Sequence, residues 1–370
     1  MKVGCVKEVK RYEFRVGLTP ENAKQYILAG HTVYVQSGAG EGSAFTDAAY
    51  EAMGAIILPT AEEVWTSCDM IVKVKEPLAE EYDFLQEGQI LYTYLHLASD
   101  RTLTEMLLHK KVKAVAYETI EDKHGQLPLL RPMSEVAGKL SIQVGARCLE
   151  KPMGGMGVLL GGVPGVKHAN VVILGGGVVG VGAAKMAVGL GANVTILDNN
   201  MERLIALDTL FGQSVQTLYS TPVTIEQVLP EADLVIGAIL VPGAAAAKLV
   251  RREHLSRMKP GSVIVDVAVD QGGCCETTRM TYHDNPTFVV DGVIHYGVAN
   301  MPGAVSKTST VALTNATIQY GTQIATLGLE AAAKRDPGLG LGVNCYLGHM
   351  TCEAVAKEFH LPYQPLSDLI

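Results

Sequence analysis

Apolar residues in the first third of the chain come in short runs, separated by stretches with helical spacing. The runs at 3–6, 32–36, 70–74, 90–95 and 112–117 predict strands, and 20–29, 47–53 and 101–109 predict helices. Regular alternation of this kind predicts a parallel sheet covered by helices. Residues 134–150 read as a helix, because Val136, Leu140, Val144 and Cys148 fall on one stripe. The glycine-rich run at 154–165 lacks the Lys-Ser/Thr of a phosphate-binding Walker loop and predicts a hinge or covering loop. A second unit starts near Ala169, with strands expected at 171–174, 194–197, 215–218, 234–239, 263–267 and 288–290. Six strands are what a complete dinucleotide domain needs. After Asn300-Met301-Pro302-Gly303 the pattern turns helical again, from about 308 to 333.

The most informative stretch is 171–198, VVILGGGVVGVGAAKMAVGLGANVTILD. An apolar run feeds into Gly175-x-Gly177-x-x-Gly180, a small-residue helical segment follows, and a second apolar run ends in Asp198. Gly175 permits a tight turn, Gly177 a close approach of backbone to a pyrophosphate, and Gly180 close packing of helix on strand. The helix N-terminus presents N–H groups and a positive dipole end to the phosphates. Asp198 stands where a carboxylate accepts hydrogen bonds from a ribose 2′-hydroxyl. That position favours NAD over NADP, whose 2′-phosphate it would repel, although Arg203 is close enough in sequence to offset part of the repulsion. The bland alternative is a glycine-rich turn in an α/β protein with no ligand.

The expected fold class is therefore α/β: two Rossmann-like doubly wound domains with a cleft between them. The dinucleotide-binding domain, 131–305, is inserted in a catalytic domain formed by 1–130 and a helical return at 306–370. A chain of 370 residues is long enough for two cores. With 18% charged residues, net charge −8 and no basic patch, nucleic acid is an unsuitable partner. The N-terminus MKVGCVKEVK has no apolar region of the secretory kind, and no run is long enough to span a membrane. Seven irregularly spaced cysteines without a CxxC pair suit reduced thiols in a cytosol, and adjacent Cys274-Cys275 reads as structural or incidental. His and carboxylates do not cluster at ligand spacing, so no metal is expected.

Ligands of open α/β sheets lie at the carboxyl ends of strands. That rule selects Lys75, His96, Asp270 and Asn300, each of which follows a predicted strand. A hydride-transfer enzyme acting on a small acid needs a cation for the carboxylate, a proton-transfer group and an apolar wall beside the nicotinamide. The competing readings are ordinary ones: a solvated lysine, a histidine satisfying a core hydrogen bond, Arg15 on a surface loop, Met133 in the core.

Longer segments carry a stronger signal. KEVKRYEFRVGLTP at 7–20, VKVKEP at 72–77, YLHLA at 94–98, RPMSEVAGKLSIQVGA at 131–146, VDVAVDQGGCCETT at 265–278 and GVANMPGAVSKTST at 297–310 occur in order. With these the chain resembles the bacterial alanine dehydrogenase family over essentially its whole length. The resemblance implies that Arg15 and Lys75 hold the carboxylate of alanine or pyruvate. His96 would bond the keto oxygen and act as acid and base, and Asp270 would assist addition of water or ammonia through the carbinolamine and imine. Met133 would flank the small side chain, with Ser134 and Asn300 near the nicotinamide. The cofactor set is expected to be Ser134, Gly175, Gly177, Val178, Val179, Gly180, Asp198, Arg203, Ser220, Ile239, Leu240, Val267 and Val298. The implied reaction is L-alanine, water and NAD to pyruvate, ammonium and NADH, in a cytoplasmic homohexamer. The rival readings are the NAD-binding subunit of proton-translocating transhydrogenase, an opine- or saccharopine-type dehydrogenase, and a non-catalytic NAD-binding regulator. The transhydrogenase subunit would not need His96 or Asp270.

Overall fold

The computed structural model describes residues 1–239 and 246–370. In chain order the strands are β1 (Lys2–Cys5), β2 (Thr32–Gln36), β3 (Ile56–Leu58), β4 (Met70–Val72), β5 (Ile90–Thr93), β6 (Lys113–Ala116), β7 (Asn170–Leu174), β8 (Asn193–Asp198), β9 (Val215–Tyr219), β10 (Leu234–Gly237), β11 (Val263–Asp266), β12 (Thr287–Val290), β13 (Val293–Tyr296), β14 (Val343–Tyr346) and β15 (His349–Met350). The chain divides into two compact units, 1–132 with 305–370, and 133–304.

In the first unit the sheet order is β15-β14-β6-β5-β4-β1-β2-β3. Strands β1 to β6 are mutually parallel in the order 3-2-1-4-5-6, that of a doubly wound dinucleotide fold. Strands β4 and β5 are buried along their whole length, as parallel strands covered on both faces must be. Trp65 anchors one face of the core, with Leu91, Leu95, Leu97, Leu103 and Leu107. The second unit repeats the plan, β12-β13-β11-β10-β7-β8-β9. Its parallel strands again run 3-2-1-4-5-6, with β13 as the sixth.

The strand expected at 288–290 corresponds to β12, but it is not the sixth parallel strand. It is an extra edge strand, antiparallel to β13. The turn between them is Asp291-Gly292, both at positive φ (48° and 83°), the left-handed pair that a two-residue hairpin requires. A second such turn, Leu347-Gly348 (φ 48° and 93°), joins β14 to β15. The return segment is therefore not purely helical: after the helices Ser306–Leu327 and Leu329–Arg335 it adds β14 to β6, antiparallel. The helical pattern expected over 308–333 breaks at Gly328, whose φ of 81° and ψ of 152° no helix accommodates. Strand β3 and the helix Ala61–Ser67 were not expected. Among the described residues no helix is long and apolar enough to cross a membrane.

Candidate functional site

In the second unit, β7 runs into Gly175 at φ +104° and then into the helix Val178–Gly189, capped by Gly177. Each glycine has a separate cause. A Cβ on Gly180 would stand 1.9 Å from the Gly175 carbonyl oxygen, so only glycine lets this helix start against the turn. A Cβ on Gly177 would meet no atom within 4 Å. No contact within the protein requires glycine there, and the open backbone at this helix N-terminus leaves room for a pyrophosphate.

Asp198 closes β8 beside this turn. Its Oδ2 accepts the Gly176 N–H at 2.8 Å and its Oδ1 the Asn200 N–H at 2.9 Å. Arg203 Nε donates to the Gly176 carbonyl, so the acid and the arginine hold the two successive peptides that flank the Gly176 Cα. Ser220 follows β9 and its N–H donates to the Asp198 carbonyl at 2.9 Å. Ile239 lies just beyond β10, half-buried, and Leu240 lies outside the described residues. Val267 follows β11 with its N–H on the Gly237 carbonyl at 2.9 Å, and Val298 is buried beyond β13. Val179 is buried at the helix start, whereas Val178 is exposed there. Met133 is buried and Ser134 half-buried in the first turn of the helix Arg131–Cys148. Asp270 is exposed in the short 3-10 turn Val269–Gln271, and Asn300 follows β13 at a left-handed φ of 60°.

The first unit brings Arg15, Lys75 and His96 to the carboxyl end of its sheet. Lys75 lies three residues past β4. Its neighbours are pinned: the Val74 N–H donates to Glu8 at 2.6 Å, Tyr117 donates to the Lys73 carbonyl at 3.0 Å, and Thr93 to the Lys75 carbonyl at 3.0 Å. The Lys75 ammonium itself has no hydrogen-bond acceptor among the described residues. Burial, and then the Arg15 cation, pull its pKa down. Arg15 is buried and held flat by Glu13, which accepts Nε at 2.7 Å, Nη2 at 2.6 Å and the Arg15 N–H at 3.0 Å. Burial opposes the Arg15 charge, but Glu13 outweighs it and the pKa rises. The competing reading of Arg15 on a surface loop does not hold, because the side chain is buried and oriented by Glu13. Two neighbouring cations, one of them felt by Glu76 but without a hydrogen-bonded acceptor, suit a small carboxylate.

His96 sits past β5 at φ 50°, a left-handed conformation that costs a non-glycine residue about 1 kcal/mol or more. Glu118 compensates: its carboxylate accepts the His96 N–H at 2.6 Å and the Leu95 N–H at 3.1 Å. It also stands 3.9 Å from His96 Nδ1. The imidazole lies parallel to the Tyr94 ring, 7° between planes, and Tyr94 is fixed by its hydroxyl on the Leu129 carbonyl at 2.6 Å. The sequence reading missed Glu118 and Tyr94. A position two residues past β6 in the same sheet was the available signal for Glu118.

Beneath these side chains lies a closed ionic cluster. Lys73 has 0% exposure and meets Glu81 at 2.7 Å and Glu8 at 3.3 Å. Its charge survives because the two carboxylates outweigh its burial and raise its pKa. Glu8 shows the opposite balance: burial outweighs Lys73 and the Val74 N–H, and its carboxyl is pushed up to about 7.

Two family models together account for most of the chain. The alanine dehydrogenase/PNT N-terminal domain matches residues 4–137 and the corresponding C-terminal domain matches 141–353. An alanine dehydrogenase of Methanococcus maripaludis is 56% identical, over 99% of this chain and 98% of its own. A solved L-alanine dehydrogenase structure superposes with TM-score 0.95 at 54% identity, covering 97% of this chain and 99% of that one. A transhydrogenase structure from Sinorhizobium meliloti superposes with TM-score 0.82 over 96% of this chain and 100% of its own, but at 24% identity this likeness speaks to fold alone.

Proposed function

The chain belongs to the alanine dehydrogenase/PNT family, and from that premise we propose that it catalyses the reversible, NAD-dependent oxidative deamination of L-alanine to pyruvate and ammonium. The observation that carries the choice within the family is the buried Lys75 ammonium, with no hydrogen-bonded acceptor, beside the Arg15 guanidinium: a protein binding only a nucleotide has no use for a second, carboxylate-sized anion site. The glycine turn, Asp198 and Arg203 fit NAD, which when bound accepts the hydride from the alanine Cα. The unit 133–304 carries the nucleotide, and Arg15 and Lys75 orient the substrate carboxylate. Met133 faces the methyl group, and Ser134 and Asn300 complete the nicotinamide surroundings. Removal of hydride leaves an iminium carbon that water must attack. His96 takes a proton from that water, gives it to the departing nitrogen and then, neutral again, accepts the hydroxyl proton as the C–N bond breaks and the ketone forms, with Asp270 assisting through its carboxylate. In the reverse direction His96 bonds the keto oxygen of pyruvate while ammonia adds.

On the same family resemblance the protein works in the cytoplasm as a homohexamer. The test of the activity is NADH formation from NAD with L-alanine, set against D-alanine, L-lysine plus 2-oxoglutarate, and no substrate. Turnover with L-alanine alone is expected. NADH binding without any turnover would instead favour the transhydrogenase-type reading.

A further inference from the structure

The carboxylate of Asp270 has no hydrogen-bond partner among the described residues. The place from which it reaches out, its Cα–Cβ bond, is therefore set by the backbone of its turn alone. That turn continues through Gly272 and Gly273, both left-handed at φ 87° and 75°. The carbonyls of both glycines need a donor.

The donors come from one short segment. The Ala246 N–H meets the Gln271 carbonyl at 3.0 Å, and the Leu249 and Val250 N–H groups meet the Cys274 carbonyl at 2.8 and 3.1 Å. The two carbonyls left between them converge on one ammonium, which also reaches the Cys275 carbonyl, itself already accepting the Thr278 N–H at 3.2 Å. Lys248 Nζ donates to the Gly272 oxygen, to the Gly273 oxygen at 2.9 Å and, more weakly, to the Cys275 oxygen at 3.4 Å. Every carbonyl from 271 to 275 is thus answered from 246–250. An ammonium has three protons and no acceptor, so this set uses its whole capacity.

The inner side of the turn is closed by a carboxylate. Asp266, at the end of β11 and 1% exposed, accepts the Ala268 N–H at 3.2 Å through Oδ1 and the Cys275 N–H at 3.1 Å through Oδ2. The anion takes the N–H groups at the two ends of the turn, and the cation takes the carbonyls between them. Asp270 lies on the arc held by this pair.

We propose that Lys248 is a positioning residue for Asp270: its ammonium, gathering the carbonyls of 272, 273 and 275, fixes the turn that aims the Asp270 carboxylate at the reacting substrate. The proposal rests on the alanine dehydrogenase reading given above, and it assigns Lys248 no contact with substrate or cofactor.

The experiment compares steady-state L-alanine oxidation, NADH affinity by fluorescence titration and thermal midpoint in the wild type, Lys248→Met, Lys248→Arg and Asp270→Asn. Misplacing a reacting group by about 1 Å costs on the order of 100-fold, so Lys248→Met should lower kcat roughly 10- to 100-fold. NADH affinity and thermal midpoint should stay near the wild type, because Lys248 is exposed and its bonds lie on one turn. Lys248→Arg, which keeps charge and donors, should recover most of the loss. If Lys248→Met does not fold, Lys248→Gln takes its place. The proposal is overturned if kcat stays within about twofold of the wild type. It is overturned equally if NADH affinity falls as much as kcat, or if the arginine variant is no better than the methionine one. An inactive wild type would strike the functional reading, and a fully active Asp270→Asn would strike the role of Asp270; both are distinguishable from a failure at Lys248.

Discussion

Replacing Glu8 by glutamine tests whether the buried cluster behind Lys75 is a proton-sensitive part of the fold. Glu8 faces Lys73 at 3.3 Å and the Val74 N–H at 2.6 Å, with the carboxylates of Glu13 and Glu81 also acting on it. Burial raises its carboxyl from an ordinary value near 4.5 to about 7. A carboxyl whose folded pKa is raised binds a proton more readily folded than unfolded. Its contribution to stability is full below the unfolded value and is lost as pH rises through the folded one. At 1.36 kcal/mol per pH unit of difference, the loss between about pH 5 and pH 8 is about 3 kcal/mol. Glutamine keeps an acceptor for the Val74 N–H and cannot ionise. For a domain of this size 1 kcal/mol moves the thermal midpoint by about 2–4 °C. The wild-type midpoint should therefore fall relative to Glu8→Gln by roughly 6–12 °C over that pH range, since titrations outside the cluster are common to both proteins. The assay is thermal unfolding by circular dichroism at stepped pH. Parallel curves for the two proteins would refute the argument, because Glu8 would then titrate alike folded and unfolded.

Two further outcomes follow from the site. Asp198→Ala should raise the use of NADP relative to NAD, because the carboxylate that repels a 2′-phosphate is gone while Arg203 remains; the check is the ratio of kcat/KM for the two cofactors. Glu118→Gln should lower kcat by about tenfold or more with little change in NADH affinity, because a neutral amide supports the His96 and Leu95 N–H groups less well than a carboxylate does; steady-state kinetics beside an NADH titration separates the two.

Much of this architecture was legible in the chain. Parallel strands buried on both faces read as continuous apolar runs, and β2 and the helix Arg101–His109 fall at the residues expected. Strand β3 escaped notice because three residues, Ile56–Leu58, show no period. The hairpins β12–β13 and β14–β15 were signalled by Asp291-Gly292 and Leu347-Gly348, but short apolar runs on either side hid the turn chemistry.

At the site, the glycine spacing and the rule of strand ends pick out Gly175, Asp198, Lys75 and His96 because their positions at turns and strand ends depend on local geometry. Glu118 and the cluster at Lys73 depend on pairing across the sheet. Lys73 reads as one polar interruption in an apolar strand; its partners Glu8 and Glu81 lie on other elements, and no local pattern reveals a lysine that both of them neutralise.

The central claim, that His96 moves the protons of alanine oxidation, is tested most directly by His96→Ala. The account predicts a fall in kcat of about 100-fold or more with NADH affinity unchanged, since the proposed role of the histidine is on the substrate and not on the nucleotide. Unchanged turnover in that variant would contradict the account and return the proton transfers to another group.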